Sequence, residues 1–259
     1  LNKVLNMVRH GISSFVFMCE PGMINAMMSY GATYDEAREG DIRGCYETGV
    51  RANEVCSATG YVNAAKAVEY VFSDGFDKNL NDYFGLRTGE ITNGNTPFEK
   101  FEDFYSAVLK QWRALIEKTI AASLEYEKYM SYVNPSNMYS ATIKGSLEKG
   151  ADAYQCGVKF NNSSVLNCGF ATLVDSVMAV KEFVYDKKEV TLQTLKAALD
   201  SDWKGYERLR AAIKNSVHKY GNDDKHADLY ASAMATFFAN QVNNCPNARG
   251  GVYKAVMHS

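Results

Sequence analysis

A thiol and a carboxyl lie two residues apart in the short run Gly44-Cys45-Tyr46-Glu47. Gly40 and Gly49 flank this run, and so many glycines in one stretch predict a tight loop rather than a regular element. A loop can direct both side chains at one reacting centre. The Cys45 thiol could then act on a substrate hydrogen or carbon while the Glu47 carboxyl moves a proton.

Both residues also have plainer interpretations. A buried cysteine is usually a small inert side chain, and a loop glutamate is usually a solvated carboxyl. The Cys-x-Glu pattern by itself does not decide between packing and catalysis for Cys45 and Glu47. The other five cysteines are most simply buried apolar residues: Cys19, Cys56, Cys156, Cys168 and Cys245.

Composition excludes several classes of protein. Lys and Arg number 28 against 30 Asp and Glu, so no basic excess indicates nucleic acid or a membrane surface as a partner. No apolar run approaches the ~18 residues of a transmembrane helix. The six cysteines form no Cys-x-x-Cys pair and the four histidines do not cluster with them, so we expect no bound metal. Scattered thiols favour a reducing, cytoplasmic location.

Apolar residues at helical spacing predict most of the regular structure. Thr33 and Glu36 form a capping box for a short helix that ends near Arg38. A second capping box at 96–99, with proline at the first helical position, begins a helix of roughly thirty residues that ends near Tyr132. Further helices are expected over 1–10, 21–31, 54–72, 171–185, 191–199, 203–215 and 224–243, the last capped by 222–224.

Short strands are predicted near Ile42 and over 156–160 and 165–170, the last two joined by a polar turn at 161–164. Residues 74–95 are polar and glycine-rich, which predicts a long loop. No strand is followed by Gly-x-Gly-x-x-Gly, so a nucleotide-binding sheet is not supported. The expected fold class is therefore α/β and helix-rich.

Four segments in this order resemble the glycyl radical enzymes, the pyruvate formate-lyase-like superfamily. They are Gly44-Cys45-Tyr46-Glu47-Thr48-Gly49 with Thr59-Gly60-Tyr61-Val62-Asn63; Lys159-Phe160-Asn161-Asn162 with Gly169-Phe170-Ala171-Thr172 and Asp175-Ser176; Lys219-Tyr220-Gly221-Asn222-Asp223-Asp224; and Asn247-Ala248-Arg249-Gly250-Gly251. The resemblance implies a ten-stranded α/β barrel with a cysteine loop near 41–50. It also implies that residues 1–259 are one internal fragment of the barrel domain, without the N-terminal part and the C-terminal glycyl radical domain.

The resemblance also implies a mechanism. A radical S-adenosylmethionine activating enzyme installs a glycyl radical on a segment outside this chain, under anaerobic conditions. Cys45 becomes the thiyl radical that abstracts hydrogen from a small substrate, and Glu47 is the general base. The family implies a homodimer for the full-length protein, and this fragment alone is expected to be inactive.

The motif favours some of the reactions that the resemblance implies over others. Formate-lyases proper have two adjacent cysteines, whereas Gly44 precedes Cys45 here. The pattern is most similar to the hydroxyproline-dehydratase-like branch, in which a tyrosine at the Tyr61 position lies near the substrate; a helix-core role for Tyr61 is the alternative. The first hypothesis is thus a radical dehydratase. The alternatives are a radical decarboxylase or other C–C or C–S lyase, a formate C-acetyltransferase, and a catalytically incompetent truncated or split chain.

Overall fold

The computed structural model describes the chain except for residues 13, 45, 46, 56, 57, 78–87, 91–97 and 259. Its helices are α1 (Asn2–Arg9), α2 (Glu20–Ser29), α3 (Tyr34–Arg38), α4 (Lys66–Phe72), α5 (Phe101–Val133), α6 (Asn137–Ser140), α7 (Lys144–Lys149), α8 (Phe170–Val180), α9 (Leu192–Asp200), α10 (Glu207–Lys214) and α11 (Lys225–Val242). Its strands are β1 (Asp41–Arg43), β2 (Glu47–Gly49), β3 (Ala58–Asn63), β4 (Ser163–Cys168) and β5 (Tyr253–Met257).

The described residues form two compact units. The first unit comprises Leu1–Ser57, Lys128–Ser163 and Pro246–Val252. The second unit comprises Ala58–Glu127, Ser164–Cys245 and Tyr253–Ser259.

The first unit contains the antiparallel hairpin β1–β2 and the short helices around it. The capping box of α3 is confirmed, because the Thr33 hydroxyl accepts from Glu36 N and the Glu36 carboxylate accepts from Thr33 N at 2.9 Å. The buried residues Met27, Ala37 and Val50 form a small core between α2, α3 and the end of the hairpin. The predicted strand at Ile42 is confirmed as β1.

The second unit is built on a three-stranded sheet of order β3-β4-β5, in which β3 and β4 are parallel. Helix α5 packs on this sheet: the Ser123 hydroxyl donates to Thr59 O at 3.1 Å, and the buried Tyr253 hydroxyl donates to Glu127 Oε2 at 3.2 Å. On α5, the Trp112 ring also stacks on Phe238 of α11, with ring centroids 5.6 Å apart. Burial of these aromatic rings supplies much of the core.

Helices α8, α9 and α11 of the second unit lie where they were predicted, whereas α10 begins at Glu207 rather than at 203. Helix α5 ends at Val133, close to the expected end, and α8 continues through a π-helical turn at Lys181–Asp186. Asp224 caps α11 as expected, because its carboxylate accepts from Ala227 N at 2.9 Å. Residues 96 and 97 of the predicted capping box and most of the predicted loop at 74–95 lie outside the described residues. Residues 98–100 are not helical and α5 begins at Phe101, so the predicted start of this helix at 97 is wrong.

The predicted helix over 54–72 is wrong in its first part and confirmed in its last seven residues. Residues Ala58–Asn63 form strand β3, and only Lys66–Phe72 are helical. The apolar residues of this segment match helical spacing, but β3 contains Gly60 beside β-branched and aromatic residues, a composition that suits a strand. Pairing with β4, about a hundred residues later in the chain, decides the outcome.

The predicted pair of strands at 156–160 and 165–170 is also wrong in part. Only Ser163–Cys168 form a strand, and it includes two of the residues expected in the turn. The segment Ala153–Gly157 is an irregular π-type turn in which Cys156 has a left-handed φ of 58°. Phe160 makes a single parallel bridge to Glu54 rather than a ladder.

We expect Gly60→Ala to destabilise the protein by about 1–3 kcal/mol, because overpacking at a close contact carries that cost. A Cβ at Gly60 would lie 2.5 Å from Thr119 Cγ2 and 3.0 Å from Ser123 Oγ. Thermal unfolding of the full-length protein measures the loss. The double variant Gly60→Ala/Thr119→Ala removes the overlapping methyl group and should recover part of the stability; a double variant no more stable than Gly60→Ala would contradict a steric cause.

Candidate functional site: the Cys45–Glu47 hairpin

Gly44 and Glu47, the described residues of the candidate motif, lie where strands β1 and β2 of the hairpin are joined. In the strand register, Asp41 is opposite Gly49, Ile42 opposite Thr48 and Arg43 opposite Glu47. Residues 44–46 therefore connect two paired positions. Gly44 has a φ of 68°, which lies in the left-handed region that favours glycine.

Glu47 begins β2 and is partly buried. A Cβ at Gly44 would lie only 2.7 Å from Glu47 Oε2, so the missing side chain leaves space for the carboxylate. Gly44 is thus suited to its position by both its backbone conformation and its small size. The structure therefore places the Glu47 carboxylate against the turn.

Cys45 lies outside the described residues, so its distance from Glu47 is a prediction. Its place in the chain, between Gly44 and Glu47, is given by the sequence alone. The catalytic roles of Cys45 and Glu47 both stay predictions at this point.

Arg43 and Glu54 support this hairpin and were not predicted from the sequence as functional residues. The Arg43 guanidinium donates to the backbone oxygens of Val50 and Glu54. The Glu54 side chain is 1% exposed, and its carboxylate accepts from Val50 N at 2.9 Å. An acidic residue between the apolar Val50 and Val55 was the available signal, because a charge among buried residues needs partners.

Tyr61 belongs to the second unit and lies in β3, not in a helix. Its side chain is 62% exposed, whereas its neighbours Gly60 and Val62 are buried. Successive residues of a strand face opposite sides, so Tyr61 points away from the helical core of this unit. The alternative of a helix-core tyrosine is therefore wrong, and the substrate contact stays a prediction.

The other cysteines are less buried than expected. Cys19 and Cys156 are exposed, and Cys168 and Cys245 are partly exposed, which corrects the prediction that all were buried; Cys56 lies outside the described residues. Cys156 is in the left-handed residue of a turn, and its thiol donates to Arg249 O at 3.0 Å.

Neither a metal cluster nor a membrane span is found in the part of the chain that the structure describes. Within it, no three or more His, Cys, Asp and Glu residues are grouped so that they could hold a metal ion. None of the described helices has both the length and the apolar character needed to cross a bilayer.

A family model described as pyruvate formate lyase-like matches residues 1–259. The chain belongs to this family. The assignment of the hairpin around Cys45 and Glu47 as the cysteine loop of this family stays a prediction from the sequence motif.

Individual proteins agree with the family assignment. This pyruvate formate lyase-like chain is 30% identical to trans-4-hydroxy-L-proline dehydratase of Clostridioides difficile, over 99% of the chain and 32% of that protein. The crystal structure of hydroxyproline dehydratase from that organism, with trans-4-hydroxy-L-proline bound, is also similar, with a TM-score of 0.83. The match covers 92% of the present chain and 30% of the chain in that structure.

Two further solved structures are similar. The glycerol-bound B12-independent glycerol dehydratase from Clostridium butyricum is 28% identical with a TM-score of 0.80, over 91% of this chain and 29% of that one. A glycyl radical enzyme from Archaeoglobus fulgidus is 25% identical with a TM-score of 0.78, over 91% of this chain and 29% of that one. The pyruvate formate lyase-like chain thus spans about a third of the length of these relatives. The expected fold class, a helix-rich part of an α/β barrel of the glycyl radical enzyme type, is confirmed.

Proposed function

We propose that this chain is the cysteine-bearing part of a glycyl radical dehydratase that eliminates water from a small hydroxylated metabolite. The observation that carries the proposal is the hairpin turn, where Gly44 leaves space for the Glu47 carboxylate two residues from Cys45. The similarity to proteins named hydroxyproline dehydratase and glycerol dehydratase favours dehydration over the other reactions of the family.

Cys45 and Glu47 have separate roles in this proposal. A glycyl radical on a segment outside the chain would supply one-electron oxidation of a thiol. The Cys45 thiol would lose its hydrogen atom in that oxidation, and the resulting thiyl radical would take a hydrogen atom from the substrate carbon and later return one to the product. The thiol must be protonated before it loses its hydrogen atom, and burial in apolar surroundings keeps a thiol neutral.

Glu47 accepts a proton from a hydroxyl or carboxyl beside the reacting carbon. The hydroxyl on the neighbouring carbon then leaves, and with a proton it becomes water. Because Cys45 returns the hydrogen atom that it took, substrate differs from product by one molecule of water. Exclusion of bulk water from the site would protect the radicals from quenching.

Tyr61 is proposed as a substrate contact. Its exposed ring and hydroxyl on one side of β3 suit recognition of a small polar molecule, because the ring supplies apolar area and the hydroxyl a hydrogen bond. The remaining parts of the proposal follow from the family: a radical S-adenosylmethionine activating enzyme as partner, a homodimer of the full-length protein, and a cytoplasmic, anaerobic setting.

The test is anaerobic activation of the full-length protein that contains this chain, followed by substrate screening. An electron spin resonance signal of a carbon-centred radical, together with water elimination from trans-4-hydroxy-L-proline, glycerol or a related alcohol, is the expected result. Release of carbon dioxide or of a sulfur group instead would assign a decarboxylase or C–S lyase, and formate from an acyl substrate would assign the acetyltransferase. A protein that forms the radical yet converts none of these substrates would contradict the proposal.

A further inference from the structure

A buried carboxylate lies beside the cysteine hairpin in the first unit. Glu54 Oε2 accepts from the Tyr30 hydroxyl at 2.7 Å and from Val50 N at 2.9 Å, and Oε1 accepts from Asn162 Nδ2 at 3.1 Å. The residue is 1% exposed. A buried charge persists only where hydrogen bonds and nearby opposite charge replace the lost water, so this carboxylate is held in one place by its donors.

Arg43 supplies the neighbouring positive charge and binds the backbone. It is the last residue of β1, and its guanidinium donates to Asp41 Oδ1 at 2.8 Å and to the backbone oxygens of Val50 and Glu54. One side chain thus ties the first strand of the hairpin to the segment that follows the second. The planar guanidinium, with several donors in fixed directions, is suited to such multiple contacts.

Gly49 allows both charged groups to approach the second strand. A Cβ at this residue would lie 3.0 Å from Arg43 Nη1 and 3.1 Å from Glu54 Oε2. Contacts this close are tighter than side-chain packing normally permits. The end of β2 is therefore enclosed by the Arg43 guanidinium and the Glu54 carboxylate.

Tyr30 and Asn162 anchor the cluster to the rest of the first unit. The Tyr30 ring meets Phe160 edge to face at 5.6 Å, and Phe160 N donates to Asn53 O at 2.9 Å. Burial, followed by the nearby Glu54 charge, raises the pKa of Tyr30 well above its ordinary value. The phenol therefore stays protonated and keeps donating to Glu54 at physiological pH.

We propose that Arg43 and Glu54 are positioning residues that hold the hairpin bearing Cys45 and Glu47. Arg43 is directly opposite Glu47 in the strand register, so a shift of the Arg43 backbone moves the proposed base. Glu54 holds Val50 N, just beyond the other end of β2. This proposal rests on the proposed function, because a displacement of Cys45 and Glu47 changes a reaction rate only if these two residues take part in the reaction. A displacement of about 1 Å can reduce a rate by about 10²-fold.

Glu54→Gln tests this proposal in the full-length protein. Three donors converge on the carboxylate, whereas an amide has one oxygen and one NH₂ group, so at least one donor would face another donor. We expect hydrogen–deuterium exchange across 41–50 in the non-activated protein to accelerate at least about 10-fold, because local opening becomes easier. In the activated enzyme we expect kcat to fall by about 10²-fold, with KM and radical content close to wild type.

Asp152→Asn is the matched control. The Asp152 carboxylate accepts from Ser136 N at 2.7 Å and Tyr154 N at 2.8 Å in the same unit, but it binds other segments than the hairpin through these contacts. In this variant we expect the backbone amides of 41–50 to exchange hydrogen for deuterium at the wild-type rate. We also expect kcat to equal the wild-type value, even if the melting temperature falls.

The proposal would be overturned if hydrogen–deuterium exchange across 41–50 in Glu54→Gln stayed at the wild-type rate, or if it became faster while kcat did not change. It would also be overturned if Asp152→Asn showed the same faster exchange and the same fall in kcat as Glu54→Gln. If Glu54→Gln does not fold, Tyr30→Phe removes one donor and should give smaller changes in the same direction. An activated wild-type protein without lyase turnover would refute the proposed function, and the exchange comparison would still decide whether Glu54 holds the hairpin.

Discussion

Replacing Cys45 with serine is expected to reduce turnover below detection while the protein still folds. Serine has nearly the same size as cysteine, but its O–H bond is much stronger than the S–H bond, so serine cannot relay a hydrogen atom. If Cys45 were only a packing residue, the substitution would leave most of the activity intact. The measurement is product formation by the anaerobically activated full-length enzyme, with radical content quantified by electron spin resonance.

Cys19→Ser is the control for this experiment. Cys19 is an exposed cysteine of the same unit and lies outside the proposed machinery. We expect this variant to keep wild-type kcat and radical content. Clear residual turnover by Cys45→Ser at normal radical content would rule out a hydrogen-atom relay through this sulfur.

Glu47→Gln should lower kcat by about 10²-fold or more, the usual contribution of a general base. The amide has nearly the same shape as the carboxylate and can occupy the space beside Gly44, but it does not accept a proton at neutral pH. Hydrogen-atom transfer at Cys45 should persist. In D₂O the thiol exchanges with solvent, so we expect deuterium to enter recovered substrate in Glu47→Gln although little product forms.

Glu39→Gln is the matched control, because Glu39 is an exposed carboxylate immediately after α3. Its kcat should equal that of the wild-type enzyme. Deuterium uptake distinguishes the two proposed roles: Cys45→Ser should take up none and Glu47→Gln should take up some. Unchanged kcat in Glu47→Gln would exclude a base role for this residue.

The sequence predicted elements that depend on local interactions. Helix α5 has a long apolar stripe with helical spacing, and its end was predicted closely although its start was not. Helix α3 has a complete capping box and was predicted close to its observed bounds. Strand β3 was missed because its partner β4 is about a hundred residues away in the chain. Local periodicity cannot register a pairing at that separation, and the apolar residues around Tyr61 fit a helix equally well.

In the candidate site, too, local features were predicted and long-range contacts were not. Cys45 and Glu47 were recognised because their types and spacing form a motif within a few residues. The cluster around Glu54 was not, because Asn162, which donates to its carboxylate, lies 108 positions later. These polar groups meet only in the folded chain. The residues that hold a motif in position are therefore harder to predict than the motif itself.

Neighbouring positions of strand β3 divide packing from exposed surface. Gly60 and Val62 face the helices and carry the packing, whereas Tyr61 between them is largely exposed. Replacements at well-exposed positions usually change stability by only about 0.5 kcal/mol. If Tyr61 contacts the substrate as proposed, the residue at position 61, and with it the metabolite accepted, can change without rebuilding the scaffold.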